Sequence, residues 1–367
     1  MIFTIILIIS ISLYIIEYVI LYYGSYLSRI IPRVTNKISN PKVSIIVASR
    51  NEELNIESCI KSLILQTYPN NKIEIILVND ESEDLTLQIM EKYEKQYENI
   101  HIISTYLEDS DVRGKARALA QGIDSATGEI ILLTDADCTA HKEWVSSIIS
   151  YFNDGVDIVG GFTVIKGSNI FSCVQQLDWI HLQTMSSSGM ALGYPLGIIG
   201  NNFSFKKECY DAVGGYRGIP FTVTEDFALF EEMRKKNYNG IYPCLTEASI
   251  TTLPCNSLMS VMRQKQRWSR GGSKMDSHGY IVLFIAFMMM ISFTISPFLS
   301  VSDWVMVWSV KFICDLAVMI PTLGRLKLLH QLRYFLLFEF YFLFQALVVP
   351  FLLTQKGVIW KGRVYES

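Results

Sequence analysis

The chain has 367 residues, of which 50% are hydrophobic and only 18% charged, and its formal net charge is −3. This length predicts about two domains, the low polarity excludes a disordered chain, and the charge balance argues against a nucleic-acid-binding protein. The seven cysteines include no C-x-x-C pair, which favours reduced, buried thiols over a disulfide framework or a zinc site.

The first predicted element is a transmembrane helix at 1–24, because residues 2–23 are apolar over about the thickness of a bilayer core. A signal peptide is disfavoured, since a basic start and a small-residue cleavage site are both missing from the sequence. A linker at 25–41 follows. Basic residues lie within it and directly after it: Arg29, Arg33, Lys37 and Lys42. The positive-inside rule then predicts an N-terminus outside and the next domain in the cytoplasm.

The segment 42–255 alternates between strand and helix patterns. Four apolar runs predict buried parallel strands: 43–49, 73–79, 100–104 and 129–134. Helical periodicity lies between them: 54–66, 84–97 and 114–126. This order predicts an α/β domain with a mostly parallel sheet and helices on both faces. No G-x-G-x-x-G follows a strand, which argues against a dinucleotide site.

Polar side chains follow three of these strands. Arg50 and Glu52 come after the first strand, Asp80 after the second, and Asp135 and Asp137 after the fourth. In such sheets ligands bind beyond the carboxyl ends of the strands. The sequence therefore predicts a ligand site at this edge.

Asp135 and Asp137 are two residues apart after a strand, so both carboxylates can face one divalent cation and its phosphates. The alternative is a helix N-cap for a segment beginning near His141. A second D-x-D match, at 109–111, follows no strand and is interpreted as a solvated loop.

Two helix starts carry charged residues of interest. Lys115 begins a helix, where the dipole prefers anions, so an anionic ligand such as a diphosphate would explain it; an exposed lysine is the alternative. Thr224 is a predicted N-cap followed by Glu225 and Asp226. Acids there stabilise a helix without any function, so the local pattern leaves both interpretations open.

Two further segments suit a membrane surface. An amphipathic helix at 256–272, within a segment 256–275, is predicted to lie in the interface. Residues 169–187 are predicted to form a second interfacial helix or part of the core. His141 and His181 are isolated in the sequence and are assigned no chemistry.

The segment 276–355 predicts two to three further transmembrane helices. The candidate stretches are 279–299, 304–320 and 334–353. The second contains Lys311 and Asp315, which share a helical face at i, i+4 and can neutralise each other inside a bundle. The tail, 356–367, is basic although the alternation of spans would leave it outside, so its side stays open.

Several motifs together resemble membrane-bound family 2 glycosyltransferases with a GT-A fold. They occur in order within 42–272 as VSIIVASRNEE, ILVNDESED, GKARALAQGIDSATGEIILLTDADC, TED and QKQRW. The closing WKGRVY at 360–365 is similar to the tail of the ceramide glucosyltransferase-like and carotenoid glycosyltransferase-like branches.

The resemblance implies a set of donor-binding residues. Asp80 would recognise the base, with Arg50 and Glu52 lining the same pocket, and Lys115 would lie near the diphosphate. Asp135 and Asp137 would hold Mg2+ or Mn2+.

The resemblance also implies the residues of the transfer itself. Asp226 would be the general base in a displacement that inverts the anomeric configuration, with Glu225 on the acceptor side. Asn201 or Asn202 would lie near the sugar. A motif on the amphipathic helix would close over the diphosphate and border the acceptor channel: Gln264, Arg267 and Trp268.

Three functions are weighed on this basis. We expect single transfer of a sugar, from a nucleotide donor that Asp80 suggests is a UDP-sugar, to a membrane lipid or lipid-linked acceptor. The alternative is a processive polysaccharide synthase, for which four candidate spans are few. An inactive scaffold is disfavoured because the expected acids are present. The apolar spans and the positive-inside rule predict a multi-pass membrane protein with a cytoplasmic catalytic domain, in the cell membrane if the source is bacterial.

Overall fold

The computed structural model describes residues 2–33, 40–106, 112–152, 155–271, 277–353, 357–360 and 363–365. The predicted loop at 109–111 lies outside these residues. The chain divides into two compact units. The sheet unit comprises Pro32–Lys166, Ile198–Leu253 and Gly357–Ser367, and the helix unit comprises Met1–Ile31, Gly167–Gly197 and Pro254–Lys356.

The main sheet of the sheet unit is mostly parallel, as predicted. Its strands are β1 (Val43–Ser49), β2 (Ile73–Asn79), β3 (Ile100–Ser104), β4 (Ile130–Asp135), β6 (Ile158–Gly160), β8 (Phe203–Lys206) and β9 (Gly240–Ile241). Among the described residues their order is β3-β2-β1-β4-β8-β6-β9. The first four strands run parallel, and β8 is antiparallel to both β4 and β6.

Buried, β-branched side chains explain this sheet, since β1 and β2 are buried along almost their whole length. The helices of the unit are α2 (Ile56–Ile64), α3 (Thr86–Glu94), α4 (Lys115–Ser125), α5 (Trp144–Ile149), α7 (Lys207–Ala212) and α8 (Glu225–Lys235). Helix α4 packs closely on the sheet: a Cβ at Gly122 would lie 2.7 Å from Ile46 and 2.8 Å from Val78.

Two small sheets complete the strands. The strands β5 (Cys138–Ala140), β7 (Thr163–Ile165) and β10 (Ile250–Thr252) form the order β5-β10-β7. The strands β11 (Val358–Trp360) and β12 (Arg363–Tyr365) pair antiparallel within the tail. None of these five strands is predicted from the sequence.

The helix unit contains six helices among its described residues: α1 (Ile2–Arg29), α6 (Ile170–Ala191), α9 (Leu258–Gly271), α10 (Ser277–Ile295), α11 (Val301–Arg325) and α12 (Phe335–Leu353). Four stretches in this part of the chain are long and apolar enough to span a bilayer: Thr4–Arg29, Ser277–Phe298, Val301–Arg325 and Leu329–Leu353. The prediction of one N-terminal and two to three C-terminal spans is confirmed, with three at the C-terminal end.

A buried ionic cluster joins four of these helices. Lys311 Nζ lies 2.6 Å from Asp315 Oδ2 and also contacts Glu339 of α12. Tyr14 of α1 donates a hydrogen bond to Asp315 at 2.8 Å, and His181 Nε2 lies 3.6 Å from the same carboxylate. The predicted pair is confirmed, and His181, isolated in the sequence, belongs to this cluster.

All seven cysteines are free thiols, and only Cys255 and Cys314 are partly exposed. The prediction of free thiols agrees with this, and the prediction that they are buried is confirmed for the other five cysteines.

Candidate functional site

The D-x-D pair lies at the carboxyl edge of the sheet. Asp135 ends β4 and Asp137 lies in the turn before β5, while Ala136 between them is buried. Both aspartates are therefore on the accessible side of this segment. The alternative of a helix N-cap does not apply, because Glu143 is the N-cap of α5.

Lys115 connects two of the predicted acids. Its Nζ lies 2.5 Å from Asp135 Oδ1 and 3.7 Å from Glu225 Oε1. Burial opposes its charge, but the carboxylates of Asp135 and Glu225 outweigh this and raise the pKa of Lys115. The lysine is therefore held as a cation within reach of the D-x-D pair.

Asp226 is oriented by the backbone around it. Its Oδ2 accepts a hydrogen bond from Gly200 N–H at 2.7 Å and its Oδ1 accepts one from Phe227 N–H at 2.8 Å. A Cβ on Gly200 would lie 2.8 Å from Asp226 Oδ2, so only a glycine allows this approach. Thr224 stands at the N-cap of α8, as predicted, but its side chain makes no capping hydrogen bond.

Asp80 is buried beside two arginines. Arg117 donates to its Oδ1 at 2.8 Å, and Arg50 donates to its backbone carbonyl at 3.0 Å. Glu52 is also buried, and it accepts a hydrogen bond from Asn55 at 2.7 Å. Arg50 and Asp80, both predicted to bind the nucleotide-sugar donor, are thus in direct contact at the ends of β1 and β2.

The two asparagines differ in what their side chains bond. Asn202 is fully buried; it accepts from Trp144 Nε1 at 2.9 Å and donates to the carbonyls of Phe162 and Ala248 at 3.0 Å. Both N–H groups of the amide and its oxygen are therefore engaged in hydrogen bonds within the protein, which is a structural role. Asn201 Oδ1 accepts one hydrogen bond, from Thr163 at 2.7 Å.

The Q-x-x-R-W residues lie on α9 of the helix unit. Gln264, Arg267 and Trp268 are spaced i, i+3 and i+4, so they share one face of this helix. Trp268 packs edge-on against Trp179 of α6, with ring centroids 5.2 Å apart. The adjacent Lys265 lies 2.6 Å from the buried carboxylate of Asp178, so α6 holds α9 through both charge and ring contacts.

The donor set at the D-x-D pair fits a hard divalent cation. Carboxylate oxygens suit Mg2+ and Mn2+, and Mg2+ is usually held by one or two carboxylates together with substrate phosphates. No group of three or more His, Cys, Asp or Glu converges on a metal position within the described ranges. The two carboxylates of the D-x-D pair fit an ion that a phosphate ligand would also bind.

Two residues that support the sheet-edge site, Arg117 and Gly200, were not predicted from the sequence, and neither was Asp178, which holds α9 in the helix unit. Arg117 lies two positions after Lys115, and its only local signal is the short motif GKAR. Gly200 and Asp178 act through contacts with residues distant in the chain, which no local pattern discloses.

The chain is similar in sequence and fold to known proteins. The profile described as "Glycosyl transferase family 2" matches residues 44–227. "Probable glycosyltransferase YdaM" of Bacillus subtilis (strain 168) is 30% identical over 252 residues, covering 66% of this chain and 56% of that protein. "Beta-monoglucosyldiacylglycerol synthase" of Nostoc sp. is 26% identical over 247 residues, covering 64% of this chain and 49% of that protein.

Two more comparisons bear on the alternatives. "Poly-beta-1,6-N-acetyl-D-glucosamine synthase" of Staphylococcus aureus (strain COL) is 26% identical over 233 residues, covering 63% of this chain and 54% of that one. The mannosyltransferase PcManGT from Pyrobaculum calidifontis, solved with GDP-Man and Mn2+, has a TM-score of 0.61 and 16% identity, over 96% of this chain and 100% of that one. The chain spans about half the length of the curated relatives it matches.

Proposed function

The chain belongs to glycosyl transferase family 2, and from this premise we propose that it moves a sugar from a nucleotide-diphosphate donor to a hydroxyl of a membrane lipid. The observation that carries the proposal is the meeting of Asp135, Lys115 and Glu225 at the carboxyl edge of the sheet. The four long apolar helices of the same chain support a lipid acceptor.

The donor side of the proposal rests on charge. Asp135 and Asp137 would hold Mg2+ or Mn2+, which would neutralise the diphosphate as it departs. Lys115 is already a cation beside Asp135 and would add a second positive charge. The solved mannosyltransferase with GDP-Man and Mn2+ supports this assignment. Arg267, Gln264 and Trp268 are proposed to close over the donor.

We propose that the cluster around Asp80 recognises the nucleotide base of the donor. Arg117 and Arg50 fix the position of this residue, and Glu52 is buried in the loop between β1 and α2. We propose a UDP-sugar by the family analogy, with a GDP-sugar as the competing donor.

Asp226 is proposed to take the proton of the acceptor hydroxyl. The hydroxyl oxygen attacks the anomeric carbon while the bond from that carbon to the diphosphate breaks, so the configuration inverts. The two backbone N–H groups that bond Asp226 fix the direction of its carboxylate. Glu225 and Asn201 are proposed to lie on the acceptor side of this group. A positioned base contributes about 10²–10⁴ in rate.

A lipid acceptor is favoured over a growing polymer. The relatives named beta-monoglucosyldiacylglycerol synthase make diacylglycerol the first acceptor to test. The polymer synthase from Staphylococcus aureus keeps processive synthesis as the second candidate. The basic residues after α1 support a cytoplasmic sheet unit, in the cell membrane if the source is bacterial.

The test is a transfer assay in membranes with labelled UDP-sugars, GDP-mannose as control donor, and Mn2+. We expect label in the organic phase for the wild type and not for Asp226→Asn. Asp211→Asn, at an exposed position, is the matched control. Label in a high-mass aqueous product would instead establish a polymer synthase. Unchanged transfer by Asp137→Ala, or in excess chelator, would overturn the metal assignment.

A further inference from the structure

Lys115 binds a carboxylate that the proposed metal ion would also bind. Its Nζ donates a hydrogen bond to Asp135 Oδ1 at 2.5 Å, so an ammonium group contacts one acid of the D-x-D pair directly. Asp137 differs in this respect, since its Oδ1 accepts a weak hydrogen bond from the uncharged thiol of Cys138 at 3.5 Å. The charge of Asp135 is therefore balanced by a cation of the chain itself.

Two cations on the carboxylate of Asp135 repel each other. A Mg2+ ion lies about 2.0–2.1 Å from its oxygen ligands, so an ion on Asp135 would come within about 4–6 Å of the ammonium nitrogen, where like charges disfavour each other strongly. The side chains of Lys115 and Asp135 are partly buried, so salt and water screen this repulsion only in part. Lys115 and a divalent cation therefore compete at Asp135.

Glu225 gives Lys115 a second partner within reach. Its Oε1 lies 3.7 Å from the lysine Nζ, and its side chain is 11% exposed. Lys115 can therefore turn away from Asp135 while it remains paired with an acid. These three residues all belong to the sheet unit, so the exchange involves one unit only.

The place of Lys115 in the fold favours an anion as the partner for which it leaves Asp135. It is the first residue of α4, where the helix dipole and the free backbone N–H groups favour anions. A diphosphate at this end of the helix would attract the ammonium, and its oxygens would also bind the metal ion. Such an anion would remove the charge that opposes the metal and add ligands for it.

We propose that Lys115 couples metal binding to donor binding, because it opposes a divalent cation at Asp135 until a nucleotide diphosphate draws the ammonium away. The inference rests on the metal ion and the donor of the proposed function and deepens that function by linking the two ligands. Coupling of this kind is reciprocal, so the metal raises the affinity for the nucleotide by the factor by which the nucleotide raises the affinity for the metal.

The experiment measures Mn2+ binding to the full chain in detergent, from the electron paramagnetic resonance signal of free Mn2+. We expect Lys115→Met to tighten Mn2+ binding about tenfold when no nucleotide is present. This is the lower end of the effect of a hydrogen bond to a charged group, because the pair is partly hydrated. Lys207→Met, which removes a lysine from a surface ion pair of the same unit, is the matched control and should bind Mn2+ as the wild type does.

UDP is then added as the second ligand, with GDP as its alternative. In the wild type the nucleotide should tighten Mn2+ binding. In Lys115→Met this enhancement should be about tenfold smaller, since the charge that the nucleotide draws away is missing from the start. Lys115→Gln keeps a hydrogen-bond donor without the charge, and it should behave as Lys115→Met does.

Unchanged or weaker Mn2+ binding by Lys115→Met would overturn the proposal, because the lysine would then be neutral toward the metal or would orient Asp135 for it. Binding by Lys115→Gln that equals the wild type would also overturn it, since the hydrogen bond and not the charge would then matter. The same holds if neither UDP nor GDP tightens Mn2+ binding to the wild type. A wild type that transfers no sugar to lipid would refute the proposed function, whereas these binding measurements involve no acceptor and no transfer.

Discussion

Charged groups lie close together in both units, but they differ in their access to solvent. At the sheet edge, the side chains of Lys115 and Asp135 remain 18% and 31% exposed. In the helix unit, Lys311, Asp315 and Glu339 are at most 1% exposed. The same pairing of ammonium and carboxylate therefore occurs in two very different surroundings.

This difference separates a site from a structural cluster. A partly hydrated ion pair can exchange one partner for a ligand at modest cost, since water compensates the released charge. A fully buried pair cannot, because removal of one partner leaves an uncompensated charge in a medium of low dielectric constant. We therefore expect the sheet-edge charges to govern activity and the helix-unit charges to govern stability.

The largest expected effect is that of Lys311→Met. The variant leaves Asp315 and Glu339 without their cation and should lose about 3–5 kcal/mol of stability. Thermal unfolding in detergent measures this, with Lys327→Met at an exposed position as the control. The added change Glu339→Gln should restore part of the loss. Equal unfolding temperatures for the two lysine variants would contradict the distinction between the units.

Asp226→Asn tests whether the charges at the sheet edge govern activity rather than stability. We expect kcat to fall about 10²–10⁴-fold while the unfolding temperature stays near that of the wild type. The asparagine oxygen can still accept one of the two backbone hydrogen bonds that now hold the carboxylate. Full turnover by this variant would remove Asp226 from the role of base.

Lys115→Met is expected to raise the KM for the donor about 10–100-fold, as for a lost hydrogen bond to a charged group. The neighbouring acids raise the pKa of Lys115, so its stabilising charge is complete below the ordinary lysine value of about 10.4 and is lost as the pH rises through the folded-state value. The stability difference from wild type should therefore be constant between about pH 6 and 9. Lys207→Met, at a pair on the surface, is the control. A difference that shrinks across this range would contradict the raised pKa.

Gly200→Ala should have the smallest effect. The added Cβ would lie 2.8 Å from both Oδ2 and Cβ of Asp226, closer than non-bonded atoms pack, so the aspartate must move as a whole. We expect about a tenfold loss of kcat, less than the roughly 10²-fold of a 1 Å displacement. Gly324→Ala, where nothing lies within 4 Å, is the control. An unchanged kcat would mean that Asp226 need not be held by this contact.

The long apolar strands and spans could be predicted because their signals are local. The runs at 43–49, 73–79 and 100–104 match β1, β2 and β3 to the residue. The predicted helices extend one to three residues beyond the observed ends, since periodicity includes the capping turns. The strands of β5-β10-β7 have three residues each, too few to show a period, and they form only through pairing between distant segments.

The candidate site divides in the same way. The position of the D-x-D pair was predictable because it follows directly on an apolar strand, which is a local signal. The contact of Lys115 was not predictable: the local pattern left an anionic ligand or an exposed lysine open, and the partner is Asp135, 20 residues along the chain. The role of Gly200 was also hidden, since its contribution is the absence of a side chain where Asp226 must approach.

The hydrogen bond from Tyr14 to Asp315 joins residues 301 positions apart. At a synthesis rate of about 5–20 residues per second, the first helix is complete roughly 15–60 s before its partner leaves the ribosome. Throughout that interval, the polar groups of α1 that the finished protein buries, including Glu17, face lipid or other proteins. Until α11 and α12 are synthesised, the buried polar groups of α1 therefore depend on lipid or on other proteins for contacts.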